Sequence, residues 1–184
     1  MRHEYIAVRE DSLLLVIDLQ QAMLKVIDKW EMVARRVSQL IRTATIHEIP
    51  ILLTEQYPQG LGRTHPQVLQ DIQSPRVFHK EHFSACLEPG FPPLLESFQR
   101  RKVVVAGTEA HVCVLQTCLD LIRRGFQVHL VADGVASRAE QNRDIALSQL
   151  RQAGAVITSA EIVIFEWACR ANTAEFRKVL PIVK

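Results

Sequence analysis

Short apolar runs without polar alternation recur along the chain, and longer stretches with helical periodicity separate them. A strand that is apolar throughout is buried on both faces, as in a parallel sheet with helices on each side. Alternation of such strands with helices is typical of an α/β fold. The strand candidates are residues 13–18, 51–54, 77–78, 103–106, 128–132 and 155–157. The sequence therefore predicts three layers, with a parallel sheet between two layers of helices.

Helical patterns fill the segments between these runs. Pro50 ends the first pattern, and Gly125 and Gly154 follow the last apolar turns of two others, which is a common stop signal. Ser159 is a candidate cap for a later helix. The predicted helices cover residues 27–48, 112–124, 140–153, 161–170 and 173–179. The segment 55–74 lacks such periodicity, and we expect it to form a lid or a wall of a binding site.

Size and composition restrict the classes of protein to consider. The chain has 184 residues, which fits one domain over residues 1–184, and its formal net charge is only +2. No basic block interleaved with aromatic residues occurs, so no nucleic-acid partner is expected. The apolar run 13–17 is too short to span a bilayer, so no membrane partner is expected. The four cysteines lack metal-site spacing and indicate free thiols in a reducing compartment, which predicts a cytoplasmic protein.

Three polar residues lie where apolar runs end. Asp18 closes the first run, Lys80 follows the third, and Cys113 lies a few residues beyond Gly107 at the end of the fourth. Open parallel sheets bind ligands beyond the carboxyl ends of their strands, so an acid, an amine and a thiol are predicted at one edge. A thiol at a strand-to-helix turn lies near the positive end of the helix dipole, which favours the thiolate and predicts a nucleophile.

Each of these residues has an ordinary structural explanation when it is considered alone. A carboxylate after a strand is more often a cap, an isolated lysine is more often a surface amine, and a single cysteine is more often a small core residue. Together they fit covalent catalysis: Asp18 accepts the thiol proton, Lys80 keeps the carboxylate ionised, and Cys113 attacks an electrophilic carbon. Backbone N–H groups of the turn before Cys113, and that of Cys113 itself, would stabilise the oxyanion.

Other polar residues near these strand ends leave alternatives open. His111 is a candidate base, but a histidine two residues before the nucleophile should point elsewhere on the turn. Together with Glu55 and Tyr57 it is kept as a candidate substrate contact. A redox pair of Cys113 and Cys118 is a further possibility, although residues five apart on a helix face different ways.

The chain resembles the isochorismatase-like cysteine hydrolases, a superfamily that includes nicotinamidases and N-carbamoylsarcosine amidases. The matching segments are residues 14–20 (LLVIDLQ), 78–85 (FHKEHFSA), 107–114 (GTEAHVCV) and 132–138 (ADGVASR), in the family's order. The resemblance implies a Rossmann-like sheet of six parallel strands in the order 3-2-1-4-5-6. It implies a triad of Asp18 as base, Lys80 as its partner and Cys113 as nucleophile. It also implies a cis peptide at Thr108–Glu109 and an oxyanion hole made by the N–H groups of Glu109 and Cys113.

Departures from the family pattern narrow the implied chemistry. Nicotinamidases carry an Asp-x-His pair after the second strand that helps to hold a metal, whereas residues 55–57 here read Glu-Gln-Tyr. His65 has no obvious partners in the loop, so neither a metal nor another cofactor is expected. Isochorismatases proper do not rely on this cysteine, and Cys113 therefore favours covalent hydrolysis over vinyl-ether cleavage. Segment 54–62 most resembles the isochorismatase-domain-containing branch.

The residues and the resemblance together predict a metal-independent cysteine hydrolase of a small amide-like substrate. The alternative is a protein that keeps the fold but acts chiefly by binding a partner, with its triad unused. A homo-oligomer, either a dimer or a tetramer, is also predicted. Members of the family commonly assemble, and the apolar helix around Phe165, Trp167 and Cys169 would gain from burial.

Overall fold

A six-stranded parallel sheet forms the centre of the molecule. A computed structural model describes residues 2–28 and 30–184 of the chain. The strands are β1 (Ser12–Ile17), β2 (Ile51–Gln56), β3 (Arg76–Lys80), β4 (Lys102–Thr108), β5 (Gln127–Ala136) and β6 (Val156–Thr158). They are ordered β3-β2-β1-β4-β5-β6, and each neighbouring pair is parallel. The predicted fold class and strand order are confirmed.

Helices connect the strands and cover the sheet. They are α1 (Gln21–Leu24), α2 (Trp30–Ile46), α3 (Pro58–Leu61), α4 (Pro66–Leu69), α5 (Phe91–Ser97), α6 (Leu115–Arg123), α7 (Glu140–Gln152), α8 (Ala160–Ala168) and α9 (Ala174–Val183). Lys29, inside the predicted helix 27–48, lies outside the described residues. The Ser159 hydroxyl accepts a hydrogen bond from the Ile162 N–H, so the predicted cap of α8 is confirmed.

Two apolar clusters lie on opposite faces of the sheet. On one face, Leu14 and Val16 of β1 pack in a cluster with residues of α2, α8 and α9. On the other face, Leu13, Leu15 and Ile17 pack in a cluster with residues of α5, α6 and α7. All the residues of β1 are buried, and burial of each large aliphatic side chain contributes about 1.5–3 kcal/mol. This two-sided burial explains why the strands are apolar without alternation.

Several boundaries differ from those predicted. Strand β5 continues to Ala136, beyond Gly134, because the pairing with β4 shifts register between Val105 and Gly107 and then resumes. Segment 55–74 contains α3 and α4, both of which begin at a proline, where helical periodicity is too short to recognise. Among the described residues, no helix is both long and apolar enough to cross a bilayer.

Helix α8 is apolar on two sides, of which one is fully buried and the other is partly exposed. Trp167, predicted to gain from burial in an oligomer, is already fully buried in the cluster that contains α2 and α9. Ile162 and Phe165 on the same helix are 52% and 43% exposed. Some apolar residues of this helix therefore belong to the core of the chain, and others lie on its surface.

Candidate active site

The carboxyl ends of the strands bring the predicted catalytic residues to one edge of the sheet. Asp18 directly follows β1, Lys80 ends β3, and Cys113 lies just beyond β4. Connections from β1 and β4 diverge here, which opens a crevice in this class of sheet. A cavity of about 230 Å³ lies at this edge, and both Asp18 and Cys113 line it. Its other lining residues are Met23, Gln56, Leu61, Phe83, Glu109, Val112 and Arg138.

Asp18 and Lys80 form a buried ion pair behind the cavity. Lys80 Nζ lies 2.8 Å from Asp18 Oδ2, and the two side chains are 0% and 2% exposed. The ammonium donates hydrogen bonds to Gln56 Oε1 at 2.6 Å and to the carbonyls of His82 and Phe83, each at 3.2 Å. An ammonium has three N–H donors, so these acceptors engage all of them. Asp18 Oδ2 therefore has an opposite charge beside it but accepts no aligned hydrogen bond.

The other polar atoms of Asp18 are held in place. Its N–H donates to Thr54 O at 3.2 Å, and Thr54 Oγ1 donates to Asp18 Oδ1 at 2.7 Å. The Thr108 hydroxyl donates to Asp18 O at 2.8 Å. Asp18 has φ of +49°, a left-handed conformation that is uncommon outside glycine and that clusters at functional sites. These contacts fix the carboxylate and leave Oδ2 beside the Lys80 ammonium.

Cys113 lies in a π-helical turn, Ala110–Val114, that precedes α6. The N–H groups on either side of it, from Val112 and Val114, both donate to Glu109 O, at 3.0 and 3.2 Å. Such π-helical turns are frequent at functional sites. The sequence predicted one continuous helix over 112–124, which misses this wider turn.

Burial and a neighbouring carboxylate favour the neutral form of the Cys113 thiol. Burial raises the pKa of Cys113 to about 12, the nearby Asp18 charge also raises it, and the Lys80 ammonium lowers it by less. The prediction that the helix dipole would favour a thiolate is therefore wrong, because the effects of burial and of Asp18 dominate. A neutral thiol close to an ionised carboxylate needs that carboxylate to take its proton before or during attack.

Gly107 allows β4 and β1 to approach each other beneath the site. It has φ of +129°, and a Cβ added there would lie 2.0 Å from Ile17 O. No other residue type fits this backbone position without displacement of β1. The peptide bond that follows β4, Thr108–Glu109, is cis, as the family resemblance implied.

A second ion pair lies on the cavity wall. The buried Glu109 Oε2 accepts hydrogen bonds from the backbone N–H of Arg138 at 2.9 Å and from its Nε at 3.1 Å. The Arg138 side chain is 61% exposed, whereas that of Glu109 is 4% exposed. Sequence reasoning missed this pair. Residue 138 belonged to a matched segment, but nothing in the pattern indicated its contact with residue 109.

Segment 55–74 contributes to the cavity wall, as predicted, through Gln56 and Leu61. Gln20 holds this part of the segment in place. Its Nε2 donates to Gln56 O at 2.9 Å and to Gly62 O at 2.7 Å, and its Oε1 accepts from the Gln56 N–H at 2.7 Å. Gln20 is fully buried and therefore acts as a clamp between the end of β1 and the wall.

Comparison with known proteins agrees with this architecture. Residues 12–162 match the isochorismatase domain family. The secreted isochorismatase effector Isc1 of Phytophthora sojae is 36% identical over 177 residues, which cover 94% of this chain and 84% of that protein. The chain belongs to the isochorismatase family. It therefore has the hydrolase fold of that family, and family members are hydrolases.

Solved structures resemble this isochorismatase-family chain closely. The MAR1 ribonuclease of Caenorhabditis elegans has a TM-score of 0.89 and 36% identity, with 96% of this chain and 91% of that chain covered. The YcaC protein of Escherichia coli, described as an octameric hydrolase of unknown specificity, has a TM-score of 0.90 and 21% identity. That comparison covers 99% of this chain and 92% of YcaC, and it establishes the shared fold.

Three candidate substrate contacts of the isochorismatase-family chain lie off the cavity wall. Glu55 is buried, and its Oε1 accepts hydrogen bonds from the N–H and hydroxyl of Thr64, at 2.7 and 2.9 Å. The structure thus assigns Glu55 to holding its loop. Tyr57 is exposed outside the cavity lining, and His111 Nδ1 lies 2.9 Å from Ser137 Oγ. Contact of these residues with a substrate stays a prediction.

Two other expectations concern metal and redox chemistry. Across residues 2–28 and 30–184, no three His, Cys, Asp or Glu side chains converge in a way that could hold a metal ion. Cys118 is a free, fully buried thiol in the apolar cluster with α5 and α7, and burial raises its pKa. A raised pKa disfavours thiol exchange, so the structure gives no support to the redox alternative.

Proposed function

We propose that this isochorismatase-family protein hydrolyses a small amide through a covalent intermediate on Cys113. The observation that carries this proposal is that Asp18 and Cys113 line one small cavity, while Oδ2 of Asp18 accepts no aligned hydrogen bond. The Lys80 ammonium lies 2.8 Å from that oxygen and stabilises its negative charge. A base, a nucleophile and an electrostatic partner are the elements that nucleophilic catalysis requires.

The first half of the reaction forms a thioester. Cys113 Sγ attacks the amide carbonyl carbon as its proton passes to Asp18 Oδ2, and the carbonyl π electrons move to oxygen. The oxyanion then collapses, the C–N bond breaks, and the leaving nitrogen takes the proton from Asp18. An amine or ammonia departs, and the acyl group stays on sulfur. Because the pKa of Cys113 is raised to about 12, the thiol proton leaves as the C–S bond forms and not in a separate earlier step.

The second half releases the acid. Water gives a proton to Asp18 and attacks the thioester carbon, the C–S bond breaks, and sulfur recovers the proton from Asp18. In both halves the N–H groups of Glu109 and Cys113 are proposed to stabilise the oxyanion. Their position at the turn after β4, beside the nucleophile, supports this role. Loss of one such donor typically slows an enzyme by about 10² to 10³.

Ribonuclease activity is a second hypothesis, because the relative from C. elegans is called a ribonuclease. The cavity of about 230 Å³ and the buried Cys113 fit a small substrate better than a sugar–phosphate backbone. The near-balanced charge of +2 also lacks the excess of cations that binds phosphates. Amide hydrolysis is therefore the function that the site favours.

Release of ammonia or amine from a panel of small amides tests the proposal. The wild-type protein should turn over at least one amide, and Cys113→Ala should lose that activity. Cys86→Ala is the matched control, because Cys86 is also a buried thiol but lies outside the cavity. Activity that survives in Cys113→Ala, or cleavage of RNA without cleavage of any amide, would contradict the proposal. Inactivity on the whole panel would favour the partner-binding alternative.

Self-association and location are proposed on separate grounds. Ile162 and Phe165 leave an apolar face of α8 exposed, which favours a homo-oligomer, either a dimer or a tetramer. The octameric state of YcaC agrees with assembly on this fold. All four cysteines are free thiols, which favours a reducing compartment such as the cytoplasm.

A further inference from the structure

We infer that the substrate is an uncharged amide whose acyl group is small and apolar. This inference rests on the proposed function and adds the class of substrate. It follows from the way in which ionised groups at the cavity are paired, from the side chains that form the rest of the wall, and from the cavity volume.

Each charge at the cavity has a partner of opposite sign. The Asp18 carboxylate pairs with Lys80 at 2.8 Å, and the Arg138 guanidinium pairs with Glu109 at 3.1 Å. The local charge therefore sums to zero. A charged substrate would lose water without gaining an unpaired counter-ion, and an unpaired ion in a low-dielectric site is costly.

Apart from Gln56, whose Oε1 accepts a hydrogen bond from Lys80, and the Cys113 thiol, the remaining wall is apolar. Met23, Leu61, Phe83 and Val112 line the cavity from α1, from α3, from the loop after β3 and from the turn that carries Cys113. Burial of an apolar group against them contributes about 0.8 kcal/mol per CH₂. The volume of about 230 Å³ limits its size. At about 30 Å³ for each water-sized group, the cavity holds about eight non-hydrogen atoms.

Two amides of matched shape test the inference with the wild-type protein. 4-Methylpentanamide and succinamate differ in that an isopropyl group of the first is a carboxylate in the second. We expect kcat/KM for 4-methylpentanamide to exceed that for succinamate by about tenfold or more. Equal values, or preference for succinamate with Arg138 as its counter-ion, would overturn the inference.

Two variants that each remove one charge test the charge pairing itself. Glu109→Gln leaves Arg138 without its partner. The kcat/KM for succinamate should therefore rise about tenfold relative to that for 4-methylpentanamide. Arg138→Gln leaves the Glu109 carboxylate unpaired. The kcat/KM for succinamate should therefore fall further, and that for the cationic 4-aminobutanamide should rise. A pair with only a structural role would lower both activities together. Shifts of selectivity in the same direction in both variants would contradict the inference.

A binding measurement separates this inference from the proposed function. Each amide is tested for its ability to protect Cys113 from iodoacetamide, read from the mass of the Cys113 peptide. Selective protection by 4-methylpentanamide without turnover would overturn amide hydrolysis but would support the preference of the cavity for an uncharged apolar ligand. Cys113-dependent turnover with equal protection by both amides would overturn the inference and leave the hydrolase proposal standing.

Discussion

Asp18 Oδ2 lies 2.8 Å from Lys80 Nζ, and both side chains are almost completely removed from solvent. The two residues come from strands that are not adjacent, since β2 lies between β1 and β3. Two buried charges gain from each other only while both are present. This relationship leads to predictions about the stability of the protein and about the reactivity of Cys113.

Lys80→Met should lower the free energy of unfolding by about 3–5 kcal/mol, because it leaves the Asp18 carboxylate buried without compensation. Asp18→Asn should also destabilise the protein. The double variant should lose clearly less free energy of unfolding than the two single variants lose in sum, since it removes both charges. Urea unfolding of the four proteins measures this difference. Additive losses would show that the pair has no energetic coupling.

Asp18→Asn should have opposite effects on alkylation and on catalysis. It removes a negative charge that raises the pKa of Cys113, so alkylation of Cys113 by iodoacetamide at pH 9 should become faster, by up to about tenfold. Amide hydrolysis should slow by about 10² to 10⁴, because the base is lost. Peptide mass spectrometry reports alkylation at Cys113 alone. Slower alkylation in this variant would contradict the proposed electrostatics.

His129 should make the protein sensitive to acid. It is fully buried in β5, neither ring nitrogen has a hydrogen-bond partner, and burial and the Lys102 charge lower its pKa to about 4. The unfolded chain, with a histidine pKa of about 6.5, binds the proton more readily. The free energy of unfolding should therefore fall as pH drops from about 6.5 to about 4, by on the order of 3 kcal/mol.

Comparison of His129→Gln with the wild-type protein isolates this contribution from that of the carboxylates. The variant should lose less stability over the same pH range in urea unfolding, whereas His3→Gln, at an exposed position, should follow the wild-type curve. Identical curves for His129→Gln and wild type would show that His129 does not contribute.

Phe165→Glu should weaken the proposed self-association. It places a charge on the exposed apolar face of α8 without touching the catalytic cavity. Sedimentation at micromolar concentration should show an oligomer for the wild-type protein and smaller species for the variant. Glu161→Gln, on the same helix, is the control. A wild-type protein that sediments as a monomer would remove the proposal.

Much of the fold was predictable because both faces of the sheet are buried. Continuous apolar runs such as 13–17 have no other common explanation in a chain of this length, and the residue after such a run lies at the ligand-binding edge. The positions of Asp18, Lys80 and Cys113 follow from this rule. The sequence pattern was weaker at short elements such as α3, whose few residues carry no periodicity.

The site was less predictable where its chemistry depends on how deeply a side chain is buried or on contacts between residues far apart in sequence. The protonation state of Cys113 depends on its burial, which the helix-dipole argument did not include. The pairing of Glu109 with Arg138 joins two turns that follow different strands, and the local sequence of neither turn predicts the contact. Glu55 looked available at a strand end, but Thr64 occupies its carboxylate. Such partners are set by tertiary packing rather than by local pattern.

In the proposed reaction, Cys113 carries the acyl group of the substrate during turnover. The direct measurement is to quench the protein with acid while it hydrolyses 4-methylpentanamide or its 4-nitroanilide, and then to weigh the peptides. The Cys113 peptide should gain the mass of one acyl group in the wild-type protein, and Cys113→Ser should lose amide turnover. Steady hydrolysis with an unmodified Cys113, undiminished in Cys113→Ser, would contradict covalent catalysis at this residue.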